Sequence, residues 1–340
     1  MVDFALKSVK KMTVLVSGGA GYIGSHMVLA LIDAGEDVVV ADNLSTGFWW
    51  AVSPKAKLVE GDIGDPVFLT GLMAAHKFDA VVHFAGSIVV PDSVADPLGY
   101  YLNNTVKSRT ILECAVKANI PRFIFSSTAA VYGNPLTQPV FETAAPAPIS
   151  PYGTSKLMTE WMLRDAHVAH DTGYVTLRYF NVAGADPKGR SGQSTPRATH
   201  LIKVACQTAL GQRSHMDVFG TDYETPDGTC LRDYIHVSDL ISAHMDALTH
   251  LRKGGESGIF NCGYGKGYSV LEVIRAVEKA HGGTVKANLV ARRPGDPAAI
   301  VAGADRIRSI LGWKPKHDDL DVIVSSALAW EKHLLGRNAT

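Results

Sequence analysis

The chain has 340 residues, 46% of them hydrophobic and 19% charged, with 33 basic and 33 acidic side chains and a formal net charge of zero. That length calls for one large domain with a smaller lobe, or two domains, and that balance excludes a disordered chain and a basic nucleic-acid-binding arm. Cys114, Cys206, Cys230 and Cys262 lie far apart without a CxxC pair or histidines at ligand spacing. Neither a disulfide framework nor a zinc site is therefore suggested, no metal is expected, and a reducing cytoplasm fits.

Residues 1–11 hold only a short apolar stretch before Lys7, Lys10 and Lys11. They read as an N-terminal extension, too short for a secretory or membrane-spanning segment. Apolar β-branched runs follow at Thr13–Val16, Asp37–Ala41, Lys57–Val59, Ala80–Phe84 and Arg122–Phe125. Such runs mark strands buried on both faces. Helical patterns alternate with them at Tyr22–Ala34, Pro66–His76, Pro97–Ala118 and Ser155–His170, so a doubly wound parallel α/β sheet of the Rossmann kind is predicted. A sixth strand, Tyr174–Tyr179, runs into NVAGADPKGRSGQSTP, a long loop where a second, smaller α/β lobe begins. Helices near Thr199–Leu210 and Val270–His281 and a strand-to-helix unit at Tyr234–Leu251 complete the reading. The expected division is residues 12–181 for a dinucleotide-binding domain and 182–340 for a substrate lobe, with 232–251 returning to the first unit.

After the first strand, Gly18, Gly21 and Gly24 permit a tight turn, close approach of backbone to phosphate, and close packing of the next helix. The helix N-terminus adds unpaired N–H groups, so a pyrophosphate is expected there. Asp42 lies eighteen residues past Gly24, near the offset of about 20 at which a carboxylate receives ribose hydroxyls. With no arginine beside it, NAD is favoured over its 2′-phosphorylated form. Asp62 and Ile63 either border the adenine or cap a helix. Ala85 and Gly86 let a cofactor lie against the backbone at the sheet edge.

Tyr152 and Lys156 stand at i and i+4 on a helix entered through Pro151 and Gly153. A positive charge ~4 Å from the phenol is worth about 4 kcal/mol at an effective dielectric near 20, enough to lower a tyrosine pKa by roughly two to three units. Thr128, at the exit of the fifth strand, is the third candidate, able either to contact the reacting alcohol or to cap a turn. A dinucleotide beside a proton-handling tyrosine implies hydride chemistry on an alcohol.

The segments GGAGYIGSH, ADNLSTG, EGDIGD, HFAG, YYLNN, FSSTAAVYG, PYGTSK, LRYFNVAGA, LRDYIHVSDL and ARRPGD occur in an order that resembles the extended short-chain dehydrogenase/reductase family, and within it the nucleotide-sugar epimerases. The resemblance covers everything after Lys11. It implies NAD-dependent C4 epimerisation of a UDP-hexose, UDP-glucose against UDP-galactose, through a transient 4-keto sugar, in a cytoplasmic homodimer. It further implies Tyr152 as acid/base, Lys156 on the nicotinamide ribose and Thr128 on the sugar 4-hydroxyl. Tyr22, Ile23, Asn43, Leu44, Ser45, Thr46, Gly47, Phe84, Ser87, Ile88, Asn103 and Phe180 would join Asp42, Asp62 and Ile63 around the cofactor. Asn181, His200, Leu201, Phe219, Arg232, Arg293 and Asp296 would hold the nucleotide sugar, the arginines through paired hydrogen bonds to diphosphate.

The chain departs from the family pattern at Ile88, where a lysine is common, at Thr128 in place of serine, and at His200 in place of asparagine. Ile300 aligns with a position that helps decide whether an N-acetyl group fits. Another UDP-sugar, a pentose, glucuronate or N-acetylhexosamine, is therefore an alternative substrate. A dehydratase is disfavoured because Ala129 and Ala130 follow Thr128 where an acidic pair belongs, and a non-catalytic NAD sensor would not need both Tyr152 and Lys156. The sequence assigns no role to Trp49 and Trp50.

Overall fold

A computed structural model describes residues 12–195, 199–293 and 296–338; the extension 1–11 and the Pro294–Gly295 part of ARRPGD lie outside the described residues. Seven parallel strands make the main sheet: β1 (Thr13–Ser17), β2 (Asp37–Asp42), β3 (Lys57–Glu60), β4 (Phe78–His83), β5 (Arg122–Thr128), β6 (Gly173–Tyr179) and a late strand at Gly258–Cys262. The spatial order is the late strand, β6, β5, β4, β1, β2, β3. The chain steps outward from β1 to β3 and then crosses to β4 on the other side of β1. That reversal opens a crevice at the carboxyl ends of β1 and β4, where open α/β sheets bind ligands. Val14, Val16, Val38, Val40, Val82 and Ile124 fill the core on one face, and Leu15, Val39, Val81, Phe123 and Phe125 on the other. Near-continuous apolar strands are what burial on both faces requires.

Helix α1 (Tyr22–Asp33) is closed by Gly35, which at φ +83° donates its N–H to Ile32 O. Helix α2 (Pro66–Ala75) is capped by the Asp65 carboxylate, which accepts from the N–H groups of Val67 and Phe68. The predicted single helix Pro97–Ala118 is preceded by an unpredicted helix α3 (Val90–Ala95) and is instead three pieces: α4 (Pro97–Tyr100), a π-helical stretch at Tyr101–Val106, and α5 (Lys107–Lys117). The widened stretch carries Asn104, whose side chain is bonded on three sides, and such irregularities gather at functional sites.

Helix α6 (Pro151–His170) starts four residues earlier than its periodicity indicates, because Ser150 caps it and Pro151 suits its first position. Its Glu160 forms a buried fork with Arg178 of β6 and accepts from the Ser127 hydroxyl of β5. The Arg178 guanidinium lies 4.9 Å over the Tyr132 ring and donates to its hydroxyl, which donates to Asn261 of the late strand. This network fixes α6 against three strands.

The smaller lobe is built from short strands. Strand β7 (Asn181–Ala183) lies parallel to β9 (Leu231–His236), and β8 (Met216–Phe219) belongs to a separate pair. Helix α7 (Leu201–Ala209) lies between β7 and β8 in sequence, and α8 (Val237–Arg252) follows β9 and packs on α1, β5 and β6. The late strand of the main sheet is then β10, pairing parallel with β6, so the chain from α8 through β10 lies in the larger unit. Strand β11 (Gly267–Ser269), helix α9 (Val270–His281) with its Ser269–Glu272 capping box, strands β12 (Ala287–Val290) and β13 (Ala299–Ile300), and helix α10 (Leu320–Asn338) complete the lobe. Strand β12 pairs with β8 and β13 with β9, while α7, α9 and α10 pack together.

Candidate active site

The glycine turn has the shape its sequence implies. Gly18 adopts φ +73°, and a Cβ there would lie 2.6 Å from Ala85 N; at Gly24 a Cβ would lie 2.1 Å from Gly18 O. At Gly21 the nearest such contact is 3.3 Å, to Gly18 O. Two glycines thus close the turn, and the third leaves room above it. Asp42 is buried at the end of β2, its oxygens accepting from Ala20 N and Leu44 N at 2.9 Å each. Each oxygen keeps a lone pair for a sugar hydroxyl. Leu44 takes φ +55°, Asn43 accepts from Ser45 N and Oγ, and Gly47 closes onto Ala20, where a Cβ would lie 2.8 Å from the carbonyl carbon. Exposed Thr46 completes the loop. These residues fit the adenosine and pyrophosphate of a dinucleotide.

Asp62 takes no part in capping α2. It accepts from Gly64 N and pairs with Lys107 Nζ at 2.6 Å, while Ile63 is buried in the adjacent core. Phe84 leans on the His244 ring, centroids 4.9 Å apart, and Ala85 N donates to Ser17 O. Ile88 is exposed. Asn103 donates to Ser87 Oγ, and Asn104 accepts from Ser87 N while donating to Ser87 O and Ser155 Oγ. Asn104 was missed by sequence reasoning, although it adjoins Asn103 and lies only 2% exposed.

A buried histidine supports this wall. His83 has Ser17 Oγ at 2.6 Å from Nδ1 and Ser108 Oγ at 2.8 Å from Nε2. Ser108 gives its only hydroxyl proton to Asn104 O, so Nε2 donates to Ser108 and Nδ1 accepts from Ser17. Burial, with the Lys156 charge nearby, holds His83 neutral, its pKa lowered to about 3.

Tyr152, Lys156 and Thr128 come together at the carboxyl end of β5. Gly153 allows it: a Cβ there would lie 2.6 Å from Ala130 O, so only glycine lets the first turn of α6 sit against the turn after β5. Tyr152 and Thr128 are 7% and 8% exposed. Thr128 caps the following 3-10 turn through Ala130 N, the capping reading of this residue, and its hydroxyl also acts on the phenol, lowering its pKa. Opposite lies Tyr179, paired in register with Thr128. Replacing the Ser150 cap with alanine leaves Gly153 N unpaired; Ser150→Ala is expected to cost about 1 kcal/mol in urea unfolding.

The electrostatics differ from the sequence expectation. Burial pushes the Tyr152 phenol up to about 12, outweighing the lowering by Thr128. Burial also drops the Lys156 ammonium to about 8. Lys156 Nζ donates to Ser126 O at 3.1 Å and lies 5.0 Å over the Phe125 ring. Its charge is directed into the sheet edge rather than at the phenol, and desolvation decides both values.

The residues expected to hold the substrate form two groups. Arg232 donates to Leu231 O, Pro297 O and Asp296 Oδ1, and Asp296 N donates to Arg293 O. The Arg293 guanidinium lies 3.7 Å over the Phe219 ring. Ile300 pairs with Arg232 across β13 and β9. Asn181, His200 and Leu201 instead line a cavity between the lobes with Tyr22, whose hydroxyl donates to Gly184 O. His200 Nδ1 is buried there without a partner among the described residues. Ile23 and Phe180 pack into the main core.

Residues 14–263 match the family described as NAD dependent epimerase/dehydratase. The chain belongs to that family. Among its members, a UDP-glucose 4-epimerase of Azospirillum brasilense is 61% identical over 321 residues, 94% of this chain and 92% of the relative. The solved structure of a UDP-glucose 4-epimerase from Brucella ovis in complex with NAD aligns at TM-score 0.91 and 43% identity, covering 94% of this chain and 98% of that one. The Bifidobacterium longum enzyme in complex with NAD+ and UDP aligns at 0.90 and 39%, covering 95% and 98%. No helix among the described residues is long and apolar enough to cross a membrane.

Proposed function

We propose that this member of the epimerase family catalyses NAD-dependent C4 epimerisation of a UDP-hexose, interconverting UDP-glucose and UDP-galactose. The observation that carries the reading is the buried Tyr152–Thr128 pair, with Lys156 in the next turn, at the sheet crevice beside a turn shaped for a dinucleotide. When bound, NAD supplies a reversible hydride acceptor and a positive ring charge that favours the phenolate. Tyr152 Oη takes the 4-hydroxyl proton as the C4–H bond breaks, giving a 4-keto sugar. Thr128 holds the same oxygen. Lys156 adds its ammonium to the cofactor ribose side. The sugar then turns about its diphosphate while Arg232, Arg293 and Phe219 keep the nucleotide in place. Tyr152 returns the proton to O4 once hydrogen has been restored to C4 on the other face, so no net oxidation occurs.

Freshly purified protein given UDP-galactose without added cofactor is expected to form UDP-glucose, and to release NAD on denaturation. Neither product appearing would refute the reading.

The same proposal places the enzyme in the cytoplasm, in keeping with four unpaired, buried cysteines, and makes it a homodimer. Val90, Val94, Leu98, Leu102 and Val106 recur every fourth residue and are all more than 40% exposed, and Trp161 is exposed on the adjoining α6. A second copy covering α3, α4, the π-helical stretch and the adjoining face of α6 would bury that ridge. Light scattering is expected to give twice 36.4 kDa for the wild type and a single-chain mass for Leu98→Asp/Leu102→Asp. A wild-type monomer would refute the assembly.

A further inference from the structure

We infer that Trp50 and helix α10 form a clasp that sets how tightly the dinucleotide is held, making Trp50 a positioning residue for the cofactor. The loop after β2 is fastened on its inner side to the phosphate turn. Phe48 N donates to Ala20 O at 2.9 Å, Asp42 accepts from Ala20 N, and Gly47 lies against the Ala20 backbone. All three ties converge on one residue of the turn.

The outer side is fastened differently. Trp50 packs with Ala185, Trp330 and Leu334 in a small cluster apart from the two main cores, and the Arg337 guanidinium lies 3.8 Å over its ring. Phe48 lies beside it with ring centroids 5.0 Å apart. Three of these partners, Trp330, Leu334 and Arg337, belong to the last helix of the chain. A loop expected to carry adenosine is thereby held by a helix of the other lobe.

That helix is itself anchored near the substrate residues. Trp330 Nε1 donates to Ser194 Oγ, and Gly192 lies so close to the indole that a Cβ would be 2.3 Å from Cγ. Glu331 forms a buried pair with Lys203 of α7, one turn past His200. Moving Trp50 away frees the outer wall of the adenosine loop while leaving Tyr152, Lys156 and the glycine turn untouched. Its neighbour Trp49 is mostly exposed and takes no part.

The inference rests on the NAD-dependent reading above, and the test separates the two by measuring NAD release directly. Purified holoenzyme is desalted, and nucleotide lost from the protein is followed over time, with Kd for added NAD measured on the stripped protein. Trp50→Ala is expected to speed release and weaken Kd about tenfold, mostly through the off-rate. Arg337→Ala, at the exposed end of α10, keeps the fold and is expected to give about threefold. Leu328→Ala, buried on the same helix but in the main core, is expected to lower the unfolding midpoint with release unchanged.

Wild-type protein that binds no NAD would refute the proposed function rather than the clasp. Given wild-type binding, release within twofold of wild type for Trp50→Ala and Arg337→Ala overturns the clasp. For Arg337→Ala alone the same outcome decides it if Trp50→Ala does not fold. Equal loss in Leu328→Ala also overturns it, because the effect would then be general destabilisation.

Discussion

Tyr152→Phe is expected to lose at least about a thousandfold in kcat while KM for UDP-galactose and retained NAD stay within about threefold. General acid–base groups contribute about 10²–10⁴ in rate, and Tyr152 must act in both directions of proton movement. The ring stays in place because its surroundings, Thr128, Tyr179 and the first turn of α6, do not depend on the hydroxyl. Steady-state kinetics with nucleotide quantification after denaturation checks this; epimerisation near the wild-type rate would remove Tyr152 from the mechanism.

Lys156→Met is expected to make the cofactor-free protein more stable at pH 7 and catalytically poor. The ammonium falls from 10.5 to about 8 on folding because it is buried. At about 1.36 kcal/mol per pH unit the buried charge costs ~3 kcal/mol; losing the bond to Ser126 O returns about 1, leaving a gain of ~2. The sign follows from proton linkage. Between pH 8 and 10.5 the unfolded chain binds more protons at this site than the folded one, so this site's contribution to stability rises with pH there. The buried thiols of Cys114, Cys206, Cys230 and Cys262, raised from 9.0, oppose it from about pH 9, and Tyr152 and the other buried phenols from pH 10, in wild type and variant alike. The Lys156 contribution is therefore read as the difference in urea-melt stability between Lys156→Met and wild type, which is expected to shrink as pH rises from 8 to 10.5. A variant less stable than wild type at pH 7, with a difference from wild type that does not change between pH 8 and 10.5, would contradict the assignment.

The larger unit was legible because strands buried on both faces leave near-continuous Val and Ile in the sequence, and because Gly18 and Asp42 mark strand ends. Strand β10 escaped notice since only Ile259 and Phe260 supply its apolar signal. Strands β7, β11 and β13 span three, three and two residues, too short for alternation to register. Helix α10 could have been found: Leu320, Ile323, Val324 and Leu328 recur at helical spacing. At the site, residue types identified the glycine turn and the Tyr152–Lys156 pair, and Ser150 before Pro151 was a readable cap.

What sequence could not convey was desolvation and distant pairing. The i, i+4 spacing suggested an ammonium tuning a phenol, whereas folding buries both and turns Lys156 toward Ser126 O and the Phe125 face. Likewise Asn104 gains its place only because a π-helical turn meets Ser87 and Ser155, and Trp50 only because α10 returns across the loop after β2. Neither contact has a local signature.

Internal transfer of hydrogen at C4 is the claim on which the mechanism stands. Purified enzyme supplied with UDP-galactose carrying deuterium at C4, in ordinary water, is expected to yield UDP-glucose with the deuterium still on C4. Exchange of that deuterium for solvent hydrogen, or product formed with the label elsewhere, would contradict it.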